Sequence, residues 1–136
     1  MRVNAILETV LYVANLAPAA AFYREVLGLA CLHADARMQA LDVNGRGLLL
    51  LFVQGGTLEP VTTPGGTIPP HDGSGPQHLA FSVETDALDG WRAHLEAHGV
   101  ALESETRWPR GGTSLYFRDP DGHLIELATP GLWKGY

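Results

Sequence analysis

The chain has 136 residues, 46% hydrophobic and 18% charged, with a formal net charge of −6 and a pI near 5.4. That length fits one compact domain or two small modules sharing a core. The acidity argues against nucleic acid, which calls for clustered Lys and Arg, whereas the 9 basic residues here are dispersed. No run reaches the 18 or more apolar residues of a membrane span. The single cysteine, Cys31, excludes an internal disulfide or a CxxC zinc site. With no cleavable leader pattern at the N-terminus, the expectation is a cytoplasmic domain that binds a small molecule without engaging nucleic acid or membrane.

Ile6 to Val13 is β-branched and apolar and reads as a buried strand. Asn15 is a helix N-cap, and Pro18 is tolerated in the first turn. Ala19, Phe22, Tyr23, Val26 and Leu27 form the apolar stripe of a helix that Gly28 stops. Strands are expected at 30–34, 38–43 and 48–53, with Asn44-Gly45 as a tight turn between the last two. Residues 54–76 then hold six Gly and five Pro, so this stretch is a linker or an ordered loop over a site.

After it the first pattern returns. His78–Glu84 reads as a strand, and Thr85 or Asp86 as the cap of a helix with Leu88, Trp91 and Leu95 inward and Gly99 at its end. Strands follow at 100–107, 113–118 and 123–128. Glu8 lies five residues before Val13, as His78 lies five before Val83. Gly47 matches Gly122 as the opener of the last strand of each half. The economical reading is α+β: a βαβββ module at 1–53, a Gly/Pro-rich linker at 54–76 and a second βαβββ module at 77–136, together building a curved mixed sheet.

Alternate side chains of a strand face opposite ways. Placing the uniformly apolar faces under the helices leaves Glu8, His78 and Glu126 on the other, concave face. Buried carboxylates cost several kcal/mol unless paired or metal-bound, and these strands offer no obvious basic partner. Two Glu and one neutral His balance a divalent ion and leave positions open for water or substrate, as catalytic sites require. Oxygen-rich ligation with one imidazole suits Mn, Fe, Ni, Co or Zn. By the repeat, the first-half position matching Glu126 is Leu51, so the halves contribute unequally.

Asp119-Pro120-Asp121-Gly122 spells a type I turn with a glycine bulge. It pairs Asp119 with His123 and sets Tyr116 opposite Glu126, placing the Tyr116 hydroxyl near the metal. In the aromatic and cationic loop Trp108-Pro109-Arg110-Gly111-Gly112, Arg110 is a candidate fork for an anionic substrate group, with Trp108 beside it. His94 and His98, at i and i+4, read as polar helix surface, and His33 and His123 as surface groups at strand ends. His71 falls in the linker as a candidate lid residue.

The segments Leu7–Leu29, Gly75–Val83 and Ser114–Pro130 closely resemble the vicinal oxygen chelate superfamily, which includes glyoxalases, extradiol dioxygenases, thiol transferases and bleomycin-sequestering proteins. The resemblance spans essentially the whole chain. It implies one divalent metal held by Glu8, His78 and Glu126, with Tyr116 facing substrate. It also implies a homodimer, with modules exchanged in some members of the superfamily; with exchange, Glu8 serves a site completed by the other copy, and without it a site of its own chain. Glu8 departs from the His or Gln usual at its position and becomes a candidate general base, while Leu51 stands where glyoxalases carry an acidic ligand. The implied activity is glyoxalase-like lyase or isomerase chemistry or ring-cleaving dioxygenation on an oxygen-chelating substrate, with thiol transfer also open. The rival is a metal-free drug-sequestering protein using Tyr12, Trp108, Tyr116 and Trp133. A module whose open sheet recruits another protein is a third reading.

Overall fold

A computed structural model describes all of residues 1–136 and divides them into two compact units, Met1–Gly75 and Pro76–Tyr136. Each is a four-stranded mixed sheet with one helix. In the first, β1 (Glu8–Val13), α1 (Leu16–Glu25), β2 (Ala30–Ala34), β3 (Met38–Asp42) and β4 (Leu48–Val53) build a sheet of order β1-β4-β3-β2. In the second, β7 (His78–Ser82), α2 (Leu88–Ala97), β8 (Ser104–Arg107), β9 (Thr113–Arg118) and β10 (Leu124–Ala128) build the order β7-β10-β9-β8. The outer pairs β1·β4 and β7·β10 are parallel and the remaining pairs antiparallel. The expected duplicated βαβββ architecture is present.

The helices form where the stripes lie. Asn15 Oδ1 accepts the Ala17 N–H at 3.1 Å, and the chain leaves α1 through left-handed Gly28, with the Leu29 N–H reaching back to the Tyr23 carbonyl at 3.1 Å. Ala19, Ala20 and Tyr23 of α1 and Val26 at its C-terminal cap are buried, as are Leu11, Val13, Leu41, Leu49 and Leu51 of its sheet. Leu88 and Leu95 are the buried residues of α2, and Leu115, Phe117, Ile125 and Leu127 those of the second sheet. Each such large side chain contributes about 1.5–3 kcal/mol by leaving water. Neither Thr85 nor Asp86 caps α2: a 3-10 turn, Thr85–Ala87, leads into it with the Ala87 N–H on the Glu84 carbonyl, so the backbone supplies what a capping side chain would. The strand expected from residue 100 begins only at Ser104.

Residues 54–75 take the ordered-loop form. A hairpin of β5 (Val61–Thr63) and β6 (Gly66–Ile68) projects from a base stitched to the first sheet. There Gln54 Nε2 donates to the Gly73 carbonyl at 3.0 Å, and the Asp72 carboxylate accepts the Gly55 N–H at 3.1 Å. Thr57, 3% exposed, donates its hydroxyl to the His71 carbonyl. Gly73 lies against Tyr12 so closely that a Cβ would meet the ring at 2.5 Å, which excludes any other residue without displacing one of them.

The register corrects one equivalence. Glu8 pairs with Leu48 and Val10 with Leu50, while His78 pairs with Leu124 and Ala80 with Glu126. The first-unit counterpart of Glu126 is therefore Leu50, and Leu51 is buried on the opposite face beneath α1. The two glycines used as markers, Gly47 and Gly122, occupy different places in their turns. Asn44 and Gly45 are both left-handed (φ 51° and 68°) in the first turn, whereas Gly122 alone is left-handed (φ 82°) in the second. A one-residue slip in a strand moves every side chain to the other face.

Candidate metal centre

The second unit brings His78 and Glu126 together. The β9–β10 turn forms as its residues dictate: Asp119 Oδ1 accepts the Asp121 and His123 N–H groups at 3.0 and 2.8 Å, and the Gly122 N–H returns to the Asp119 carbonyl at 3.0 Å. Tyr116 is then directly opposite Glu126 across the antiparallel pair, as the hairpin length requires. At the parallel pair, the Leu124 N–H donates to the Gln77 carbonyl at 2.8 Å, and His123 Nδ1 accepts the Gln77 N–H at 3.0 Å. His123 is thus no strand-end surface group. It is 2% exposed and clamps the start of β7 to the start of β10, which fixes where His78 begins.

His78 Nε2 faces Glu126 Oε2 at 3.2 Å. The other imidazole nitrogen, Nδ1, lies 3.0 Å from the Leu124 carbonyl. A carbonyl only accepts, so Nδ1 carries a proton, and Nε2 is the ring nitrogen left to face a metal. This backbone-anchored arrangement is the one metal-ligating histidines adopt. Two donors bound at about 2.1 Å stand roughly 3.0 Å apart when cis on an octahedron and roughly 3.4 Å apart on a tetrahedron. The observed 3.2 Å falls between them. The donor pair fits a divalent cation.

Glu126 is 4% exposed and Ser114 fully buried. Ser114 Oγ donates to Glu126 Oε1 and accepts the Trp108 indole N–H at 2.8 Å. The polar end of Trp108 is therefore turned inward. The Tyr116 ring lies 6.4 Å from that of His78. Burial raises the phenol above its ordinary 10, a Ser114 hydrogen bond opposes this, and the Glu126 charge and a hydrogen bond to that carboxylate reinforce the rise. Tyr116 is accordingly a neutral donor at physiological pH. Arg110 is exposed in its loop.

In the first unit Glu8 opens β1 and is exposed. Its face, opposite α1, continues into an apolar cluster of Ala40, Leu50 and Phe52 packed with Val10, Tyr12, Met38 and Leu48. Tyr12 Oη is 2.5 Å from His71 Nδ1, and the His71 ring stands edge-on to Phe52 at 5.0 Å. Burial, then the Asp72 charge, raises the Tyr12 phenol. His71 is thus anchored on this wall, an outcome no local signal in a Gly/Pro-rich stretch announces. On α2, the rings of His94 and His98 lie 4.2 Å apart along the helix surface. No three His, Cys, Asp or Glu residues of one chain gather as a metal-holding group, and no helix is long and apolar enough to cross a membrane.

Comparison with known proteins agrees with this architecture. A lactoylglutathione lyase structure from Agrobacterium tumefaciens superposes with a TM-score of 0.88 at 33% identity, covering 98% of each chain. The metallothiol transferase FosB of Lysinibacillus sphaericus is 30% identical over 131 residues, 95% of this chain and 84% of that protein. The FosB of Staphylococcus saprophyticus is 43% identical over 53 residues, a match that spans only 35% of the relative's length. The family model for the glyoxalase/bleomycin resistance protein/dioxygenase superfamily matches residues 5–127, and the chain belongs to that superfamily.

Proposed function

We propose that this protein is a divalent-metal-dependent enzyme acting on a small substrate that presents two neighbouring oxygens. The observation that carries this reading is the pairing of His78, anchored through Nδ1 on the Leu124 carbonyl, with the buried Glu126 carboxylate 3.2 Å from its Nε2. Glu8 is the proposed third ligand, supplied by a second copy of the chain. In support, it holds in its own unit the register position that His78 holds in the other, opposite Leu48 where His78 is opposite Leu124. A bound ion of the Mn, Fe, Ni, Co or Zn class supplies Lewis acidity to the chelating oxygens.

The chain's own residues do the rest. Tyr116, neutral because its phenol is raised, donates a hydrogen bond to a substrate oxygen, and Arg110 receives an anionic substituent. Glu8, the exposed one of the two carboxylates, is the candidate base for a substrate proton. The reaction class we favour is glyoxalase-like lyase or isomerase chemistry, with thiol transfer as the near alternative, since these two are the activities named for the relatives. A second reading is favoured by the apolar wall of Val10, Tyr12 and Phe52: metal-free sequestration of a flat drug. Elemental analysis of untagged protein separates the two. Near one metal per dimer half, removed by Glu126→Gln, is the expected result; metal-free protein that binds an aromatic drug and does not take up added Mn or Zn would overturn the enzyme reading.

A further inference from the structure

The two ligands of the second unit are backed by groups the metal reading does not itself require. Trp108 and Ser114 form a directed chain behind Glu126, and its direction is settled by donor counting. An indole N–H only donates, so the 2.8 Å contact from Trp108 Nε1 occupies a lone pair of Ser114 Oγ. The serine has one proton, and a carboxylate outcompetes a neutral phenol as its acceptor, so that proton goes to Glu126 Oε1 rather than to Tyr116. Oε1 is thereby engaged, Tyr116 hydrogen-bonds the same carboxylate, and Oε2 is the oxygen facing His78. Both Ser114 and Glu126 are buried, which leaves water little access to substitute for either partner.

We infer that Trp108 and Ser114 are positioning residues that hold Glu126 as a one-oxygen ligand, tying the 108–112 loop to the metal centre. The inference rests on the metal reading of His78 and Glu126. It assigns Trp108 a role through the carboxylate instead of direct substrate contact. The loop is fastened at its other end as well: the Trp108 N–H donates to the Gly112 carbonyl at 2.8 Å and the Gly111 N–H to the Trp108 carbonyl at 2.9 Å. Gly112 packs so tightly on Gly131 and Leu132 that a Cβ would lie 2.8 Å from the Gly131 carbonyl carbon. A displacement of the Arg110 segment is therefore transmitted to the indole, and from it to the ligand.

The test uses the full chain, freed of metal by dialysis against chelator, with Mn(II) and Zn(II) titrated calorimetrically. Trp108→Phe keeps the ring and removes the N–H; Ser114→Ala removes the relay; Ser114→Thr restores the hydroxyl. Each of the first two should weaken metal binding about 10- to 100-fold, the double variant should lose no more than Ser114→Ala, and Ser114→Thr should recover most of the affinity. In the metal-free protein the Trp108 indole N–H resonance should shift on Ser114→Ala and again on Glu126→Gln, a signature that a purely structural serine would not give. Wild-type affinity in both Trp108→Phe and Ser114→Ala, alongside loss of binding in Glu126→Gln, overturns the positioning role and leaves the metal centre standing. Undiminished binding by Glu126→Gln overturns the centre itself, and an indole resonance indifferent to Ser114 removes the chain whatever the metal does.

Discussion

Replacing Glu126 by Gln should move stability and metal affinity in opposite directions. The carboxylate is 4% exposed, and taking such a charge from water costs several kcal/mol even after relaxation. In the metal-free chain the compensation is hydroxyl bonds from Ser114 and Tyr116 and the His78 imidazole at 3.2 Å. Charge-assisted bonds contribute about 1.5–3 kcal/mol each, which without a metal offsets only part of the cost of burying the carboxylate. Glutamine has the same shape: its Oε1 keeps the Ser114 bond, and its amide N–H₂ donates to the His78 Nε2 lone pair. Metal-free Glu126→Gln should therefore be more stable than the parent by about 1–2 kcal/mol, roughly 3–8 °C in Tm for a chain of this size.

With metal present the order should reverse. Free ion at a hundredfold excess over Kd stabilises the parent by about 2.7 kcal/mol, and the variant, lacking the anionic oxygen, gains little. The assay is paired thermal melts at pH 8, in EDTA and in saturating Mn(II) or Zn(II). If the variant melts several degrees below the parent in EDTA, Glu126 is a structural carboxylate and the argument fails.

Mixing Glu8→Gln and Glu126→Gln protein under subunit exchange should restore about a quarter of the parental metal content, because half the dimers are mixed and each mixed dimer holds one intact site; complete absence of recovery would place all ligands in one chain or none. Tyr116→Phe should retain metal while lowering kcat/KM about 10- to 100-fold; an unchanged kcat/KM counts against the substrate donor. Because the folded Tyr116 phenol ionises above its ordinary 10, the unfolded chain loses that proton first. The contribution of Tyr116 is present below pH 10 and declines as pH rises beyond it, so alkaline melts of Tyr116→Phe should fall less steeply than those of the parent. His123→Ala removes the imidazole acceptor of the Gln77 N–H and should cost about 1–3 kcal/mol in chemical denaturation, with His78 displaced; a variant of parental stability would remove the clamp.

Much of the site was legible from local signals. Alternation by two residues fixes which side chains share a face, so Glu8, Tyr12, His78 and Glu126 could be separated from the apolar positions without coordinates. The turn Asp119–Gly122 counts out its own register because its type sets its length, and with it the pairing of Tyr116 and Glu126. The helix stripe and the Asn15 cap are likewise local. The rest depends on contacts between residues far apart in the chain. The parallel pairs β1·β4 and β7·β10 have no hairpin to count along, which is why Leu50 and Leu51 could be exchanged and why His123 looked superficial. The Trp108–Ser114–Glu126 chain and the Tyr12–His71 contact require strands and loops separated by 6 to 59 residues to arrive at hydrogen-bond distance. Side-chain periodicity is a property of one strand, whereas the meeting of polar atoms is a property of the packed whole.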